Sequence, residues 1–128
     1  MKGLSIIKFL PGIAWFFIVL VLTCLPGDDL PEVNNWFKEY HIDKLVHAGM
    51  FTLLAYLFIY PLAQRGIAAA QKKNYFIKIV LAVTLWGLTT ELIQKYFIPG
   101  RSFDWFDWLA DGAGAFIALW VGIRQFLK

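Results

Sequence analysis

Four stretches of this chain, at about residues 9–25, 44–63, 75–98 and 105–123, are apolar over close to the roughly 20 residues a helix needs to cross a bilayer. No other feature narrows the fold as much. In hydrocarbon every backbone N–H and C=O must find its partner inside the protein, and an isolated apolar run of this length does so only as an α-helix. Composition agrees: 59% of the 128 residues are hydrophobic and 16% are charged. A soluble domain this small cannot hide so much apolar surface. The hydrophobicity excludes a disordered chain, and a net charge of +3 without a dense basic stripe excludes a nucleic-acid binder. The chain therefore reads as all-α, a single integral-membrane bundle of four transmembrane helices over residues 1–128.

The first span has the charged flank of a signal segment in Lys2 and Lys8, but Leu25-Pro26-Gly27 offers no small-x-small cleavage site. It is read as a span. Cys24 stands alone, so neither an internal disulfide nor a cysteine-based zinc site is expected. Thr23 before it does not fit a lipoprotein signal.

Orientation follows from the basic residues. Lys2, Lys8, Arg65, Lys72, Lys73, Lys78, Arg124 and Lys128 fall on one side; Lys38, Lys44, Lys95 and Arg101 fall on the other. The positive-inside rule then puts both termini in the cytoplasm. All nine acids lie in the outer loops or the outward halves of spans. In the long outer loop, 26–43, Val33, Trp36, Phe37 and Tyr40 recur at helical spacing with Glu32, Asn35 and Glu39 between them. That pattern predicts a short amphipathic helix lying in the interface.

Ionisable groups inside spans are costly and face a partner or a cavity. Asp43 and His47 share one face at the start of the second span, and Glu91 and Gln94 sit near the outward end of the third. Arg101 lies in the turn Ile98-Pro99-Gly100-Arg101-Ser102, and Asp104, Asp107 and Asp111 open the fourth span. At about 1.5 Å of rise per residue, Glu91 lies roughly 10 Å and Asp111 roughly 9 Å below the outer boundary. Two carboxyls from antiparallel neighbours thus reach one depth, with His47 shallower and Arg101 able to snorkel down. One outward polar pocket, built by spans two, three and four, is expected. Its acids cannot all be charged beside one guanidinium in a low dielectric, so Arg101 pairs with whichever of Glu91 and Asp111 stays ionised.

Plainer structural roles stand beside each of these. Asp43, Ser102 and Asp104 suit helix N-caps, and Asp107 suits a first turn. Glu91, Arg101 and Asp111 suit a packing network, and His47 a satisfied interfacial histidine. Trp105 and Trp108 read as interface anchors. Ala110, Gly114, Ala118 and Gly122 place a small residue at every fourth position of the last span. Such a stripe admits a close helix neighbour, either within the bundle or in a homodimer.

Taken together, Asp43-Lys44-x-x-His47, then Glu91-x-x-Gln94 before Ile98-Pro99-Gly100-Arg101, then Asp107-x-x-x-Asp111-x-x-Gly114 resemble the VanZ-like family of small bacterial membrane proteins. That family's pattern is an Asp-Lys-x-x-His opening, a Glu-x-x-Gln pair before a Pro-x-Arg turn, and Asp-x-x-x-Asn/Asp-x-x-Gly. The likeness covers about residues 43–122; Asp111 stands where many members have Asn, and the first span resembles the family only in being hydrophobic. The resemblance implies a multi-pass protein of the bacterial cytoplasmic (inner) membrane and cell envelope. The family is named for a protein linked to resistance against the glycopeptide teicoplanin, and no reaction is known for it. Carried over by motif, the pocket residues are Asp43, His47, Glu91, Gln94, Arg101, Asp107 and Asp111.

The leading expectation is a pocket that binds a lipid head group or a lipid-linked cell-wall precursor. Arg101 would take phosphate or carboxylate bidentately, and Gln94 and His47 would add hydrogen bonds. The excess of acids calls for amine donors on the ligand or a bound cation. A second expectation is a small membrane enzyme acting on a lipid, with His47 as general acid or base. Against it, no nucleophilic Ser or Cys stands beside His47, and no catalytic set is assigned. A proton-coupled transporter titrating Glu91 and Asp111 is a third, and with four spans it would need a dimer. A metal site from His47 plus carboxylates is conceivable, but one histidine with scattered acids is a weak signal, and neither metal nor cofactor is expected.

Overall fold

The computed structural model describes residues 5–24, 42–100 and 103–127. Four helices carry the fold: α1 (Leu10–Thr23), entered through a 3-10 turn at Ile6–Phe9, α2 (Ile42–Ala63), α3 (Ala69–Phe97) and α4 (Trp105–Phe126). There is no strand among the described residues, and all four helices, α1 together with its entry turn, are long and apolar enough to cross a membrane. The interfacial helix expected within 26–43 and the Arg101 turn position lie outside the described residues.

Local chemistry sets the boundaries. Ser5 Oγ accepts the Ile7 N–H at 3.3 Å, and Pro11 stands in the first turn of α1, where its missing N–H costs nothing. Helix α3 begins at Ala69 rather than at 75, where hydropathy puts its start. Ala69, Ala70, Gln71, Lys72 and Lys73 are strong helix formers that a hydropathy reading counts as loop. Lys72 Nζ donates to the Ala63 carbonyl at 2.8 Å, so the link also covers an orphan carbonyl at the end of α2. Past α3 the chain turns through Pro99 and Gly100, whose φ of 75° is a left-handed conformation open to glycine. Asp104 then caps α4, its side chain accepting the Phe106 N–H at 2.9 Å.

The tightest seam joins α2 and α4, which run parallel. Gly114 lies directly against Ala48, and a Cβ there would run into the Ala48 carbonyl. Thr52 Oγ1 sits 2.7 Å from the Ala48 carbonyl and 2.9 Å from that of Gly114, sharing one proton across the seam. Gly122 packs on Ile59 and Phe76, and Ala115 and Ala118 are fully buried. The small-residue stripe, which by sequence suits either an internal or an intermolecular contact, is thus buried at Gly114, Ala118 and Gly122 inside the chain.

Helix α3 crosses both antiparallel. Trp108 Nε1 donates to the Thr84 carbonyl at 3.0 Å, so this residue ties α4 to α3 instead of serving only as an interface anchor. Helix α1 leans on α2 and α3: Trp15 Nε1 donates to the Met50 carbonyl, and Gln94 Nε2 donates to the Thr23 carbonyl, each at 2.9 Å. Phe51, Leu54, Ile59, Phe76 and Val80 form a dry core. Large apolar side chains such as Phe17, Leu81, Leu85, Phe116 and Trp120 face outward, as a bilayer permits and water would not.

The seam gives a sharp contrast between two glycines. A Cβ at Gly112 would meet the Thr84 side chain, at an ordinary 3.5 Å from Cγ2 and 4.0 Å from Oγ1. Gly112→Ala should therefore leave thermal unfolding in detergent unchanged or slightly raised. Gly114→Ala should destabilise by about 3 kcal/mol, the upper end of overpacking costs, because backbone and not a rotatable side chain must yield.

Candidate functional site

The N-terminal turns of α2 and α4 lie side by side, and their polar residues meet. Lys44 and His47, three apart, share one face of α2; Asp104, Asp107 and Asp111 descend one face of α4. Lys44 Nζ bridges the two upper acids, at 2.8 Å from Asp104 Oδ2 and 2.6 Å from Asp107 Oδ1. His47 Nδ1 lies 2.9 Å from Asp111 Oδ1, and its Nε2 lies 3.8 Å from Asp107 Oδ2. With Asp111 ionised, Nδ1 carries the proton and donates it. Helix α3 adds Glu91, whose Oε2 accepts the Asp104 backbone N–H at 3.2 Å. Gly87, one turn before Glu91, leaves the room that Asp111 fills: a Cβ there would lie 3.0 Å from the carboxylate.

Burial is graded through the cluster. The Asp104 side chain is 38% exposed, Lys44 22%, Asp107 16% and His47 13%, while Asp111 is fully buried. Glu91 is fully buried as well. Glu91 Oε1 and Asp111 Oδ2 have no hydrogen-bond partner among the described residues. One ligand atom each from His47, Glu91 and Asp111 can be chosen within 4.8 Å of the others. Beneath them the core is apolar, with Phe51, Leu54, Ile59, Phe76 and Val80 filling the space toward the other end.

Of the residues picked out by sequence, His47, Glu91, Asp107 and Asp111 come together. Asp43 is the second residue of α2, directly before Lys44, and its side chain lies outside what the structure describes. Gln94 is buried, but its amide nitrogen is committed to the end of α1 through Thr23 and not to the cluster. Lys44 is the member of the cluster that the sequence reading does not place in the pocket. The topology count uses it only as an outer-side charge, although it lies three residues before His47 in the same motif and so on the same face.

Chemically the cluster offers three things. Its rim presents carboxylates bridged by an ammonium, able to receive amine donors. Its middle holds an imidazole oriented by a buried carboxylate, the arrangement that suits proton transfer. Its floor offers carboxylate oxygens that nothing in the described chain engages.

At the rim, partial burial pushes the Asp104 carboxyl up. The hydrogen bond from Lys44, the backbone N–H groups of Phe106 and Asp107 and the Lys44 charge outweigh that, so its pKa lies below the ordinary value. A lowered carboxyl pKa contributes stability above the unfolded value, and that contribution is lost as pH falls through the folded one. Lys44→Met should lower stability near neutral pH by about 1 kcal/mol, since it removes the shared partner of two carboxylates that water still reaches in part. It should also move the acid limb of a melting-temperature–pH curve up toward the ordinary carboxylate range. An acid limb identical to that of the unmodified protein would show that Lys44 does not hold Asp104 ionised.

Neither a curated protein nor a solved structure matches the chain. A family model described as VanZ/LLP1 does, over residues 6–126. That match takes in the first span, which the motif likeness over 43–122 left out. On a match over nearly its whole length, the chain belongs to the VanZ/LLP1 family.

Proposed function

We propose that this VanZ-like chain is a multi-pass cell-envelope protein of the bacterial cytoplasmic membrane. Both termini lie in the cytoplasm, and the cluster faces outward to hold a lipid head group or lipid-linked precursor. The basic link around Lys72 and the terminal Arg124 mark the inner side, and the acids mark the outer. A polar ligand reaching this site meets carboxylates first, so a head group with amine donors is favoured over a purely anionic one. Binding of this kind at the outer leaflet is how the protein would act in an envelope trait such as tolerance of a teicoplanin-type glycopeptide.

The observation that carries the reading is the company the rim keeps. Lys44, Asp104 and Asp107 are flanked on the same helix turns by exposed Leu45, Trp105, Phe106 and Leu109. Polar groups opening directly beside lipid-facing apolar surface suit a ligand that is itself half head group and half chain. Transport is less well supported, because the core below the cluster is apolar among the described residues.

A second reading, a small membrane enzyme on a lipid-linked substrate, draws on the His47–Asp111 contact at 2.9 Å. An imidazole fixed by a buried carboxylate is set up to act as general acid or base. No nucleophile or oxyanion stabiliser is assigned to it.

Native mass spectrometry of protein extracted from its own membrane tests the binding reading. The unmodified chain should retain one lipid class selectively. Asp104→Asn with Asp107→Asn, and separately Arg101→Ala, should reduce that retention several-fold at unchanged protein level. Identical lipid profiles in all three would overturn head-group binding. Release of a modified lipid on incubation, lost in His47→Gln, would favour the enzyme.

A further inference from the structure

We propose that His47, Glu91 and Asp111 form a binding site for one divalent transition-metal ion of the zinc or manganese class. Each residue comes from a different helix: His47 from α2, Glu91 from α3 and Asp111 from α4. A ligand atom from each can be placed within 4.8 Å of the other two. Spacing in the sequence gives no metal-ligand motif; the site exists only because three helices converge.

Proximity of acids alone would not make a site. The second observation is that both carboxylates are completely buried, and each keeps an oxygen, Glu91 Oε1 and Asp111 Oδ2, without a hydrogen-bond partner among the described residues. A buried acceptor left unpaired costs about 1–3 kcal/mol, more if it is charged. Most such groups in folded proteins find a partner, and a cation held between the two carboxylates would supply one.

Charge and geometry agree on the kind of ion. Two carboxylates neutralise one divalent cation, which is what a site walled by apolar helices requires. Metal–ligand bonds of about 2.0–2.2 Å space tetrahedral ligands by roughly 3.4 Å. The present 2.9 Å between His47 Nδ1 and Asp111 Oδ1 would open by only about half an ångström once that hydrogen-bond proton left. An imidazole with two carboxylates suits zinc or manganese. Calcium and magnesium prefer six or more oxygens, which three protein donors, one of them a nitrogen, do not supply. Outer contacts are also present. The Asp104 backbone N–H orients Glu91, and Asp107 Oδ2 faces the other nitrogen of His47. Three protein ligands leave a coordination position for a further donor from the rim side.

This site does not depend on head-group binding, and its test uses metal alone. The full-length protein in detergent is stripped with chelator, then titrated with Zn²⁺ and with Mn²⁺ in the absence of added lipid. One of these ions should bind at about one per chain and raise the melting temperature. Glu91→Gln and Asp111→Asn should weaken binding by ~100-fold or more. Tyr56→Phe, whose hydroxyl bonds Gln125 near the opposite end of α4, should bind as the unmodified chain does. X-ray absorption on the loaded, unmodified protein needs no variant, and should give a shell of nitrogen and oxygen with imidazole scattering. Four results would overturn the proposal: no saturable binding of either ion, sulfur in the shell from Cys24, calcium binding as tightly, or full binding by the Glu91→Gln, Asp111→Asn double variant.

Discussion

The contact between the Gly114 backbone and Ala48 is what the polar end of this molecule depends on. Without a side chain at Gly114 the two parallel helices meet backbone to backbone, and Thr52 closes the gap with a proton shared between carbonyls of both. Between helices in lipid, where hydrophobicity supplies no driving force, close packing and such hydrogen bonds do the holding. Ala48 follows His47 in the chain, and Gly114 lies one turn beyond Asp111. Fixing one pair therefore fixes the other, and the 2.9 Å approach of imidazole to carboxylate follows from the seam. Because α2 and α4 run parallel, their positive N-terminal ends also lie together. That is where helix dipoles favour Asp104 and Asp107.

Burial then sorts the charges by what each can tolerate. Asp104 keeps access to solvent and an ammonium partner, so its ionised form is stabilised at modest desolvation cost. Asp107 is shared by Lys44 and, at longer range, by His47. Asp111 and Glu91 lie deepest, with one oxygen each engaged and one not. A network meant only to fix helix packing would be expected to close on itself, since every unsatisfied member weakens it. This one closes at the rim and stays open at the floor.

Much of this was legible in the sequence, for identifiable reasons. Hydropathy located four spans because lipid exposure is a property of whole runs of residues. The rise of a helix brought Glu91 and Asp111 to one depth because two antiparallel helices meeting at a turn must count from a common boundary. The start of α3 was missed because Ala69 and Lys72 are helical by propensity and not by hydropathy. The role of Lys44 was missed because a topology count treats a lysine as a flank and ignores which face it occupies. The small-residue stripe was ambiguous in principle: Gly114 and Gly122 suit a neighbouring helix of the same chain as well as one from another copy. Arg101, the cation expected among the acids, lies outside the described residues; the cation seen among them is Lys44, which bridges Asp104 and Asp107.

Gln94 shows how one motif can serve two ends. Glu91 and Gln94 are three residues apart on α3, yet one enters the cluster and the other reaches the last turn of α1, where its amide covers the Thr23 carbonyl. A helix end inside a bilayer leaves carbonyls that water cannot reach, so a buried amide is a fitting cap. Helix α1 is otherwise held by Trp15 to Met50 and by Phe16 set at a tilt against Trp86, and it contributes no side chain to the described cluster. The three-helix core of α2, α3 and α4 thus holds the polar cluster, and α1 is fastened to it beside the cluster by a residue of the same short motif. A substitution at Gln94 would reach Glu91 only through the position of α1 and α3, which separates the structural half of the Glu91-x-x-Gln94 pair from the half that faces the polar floor.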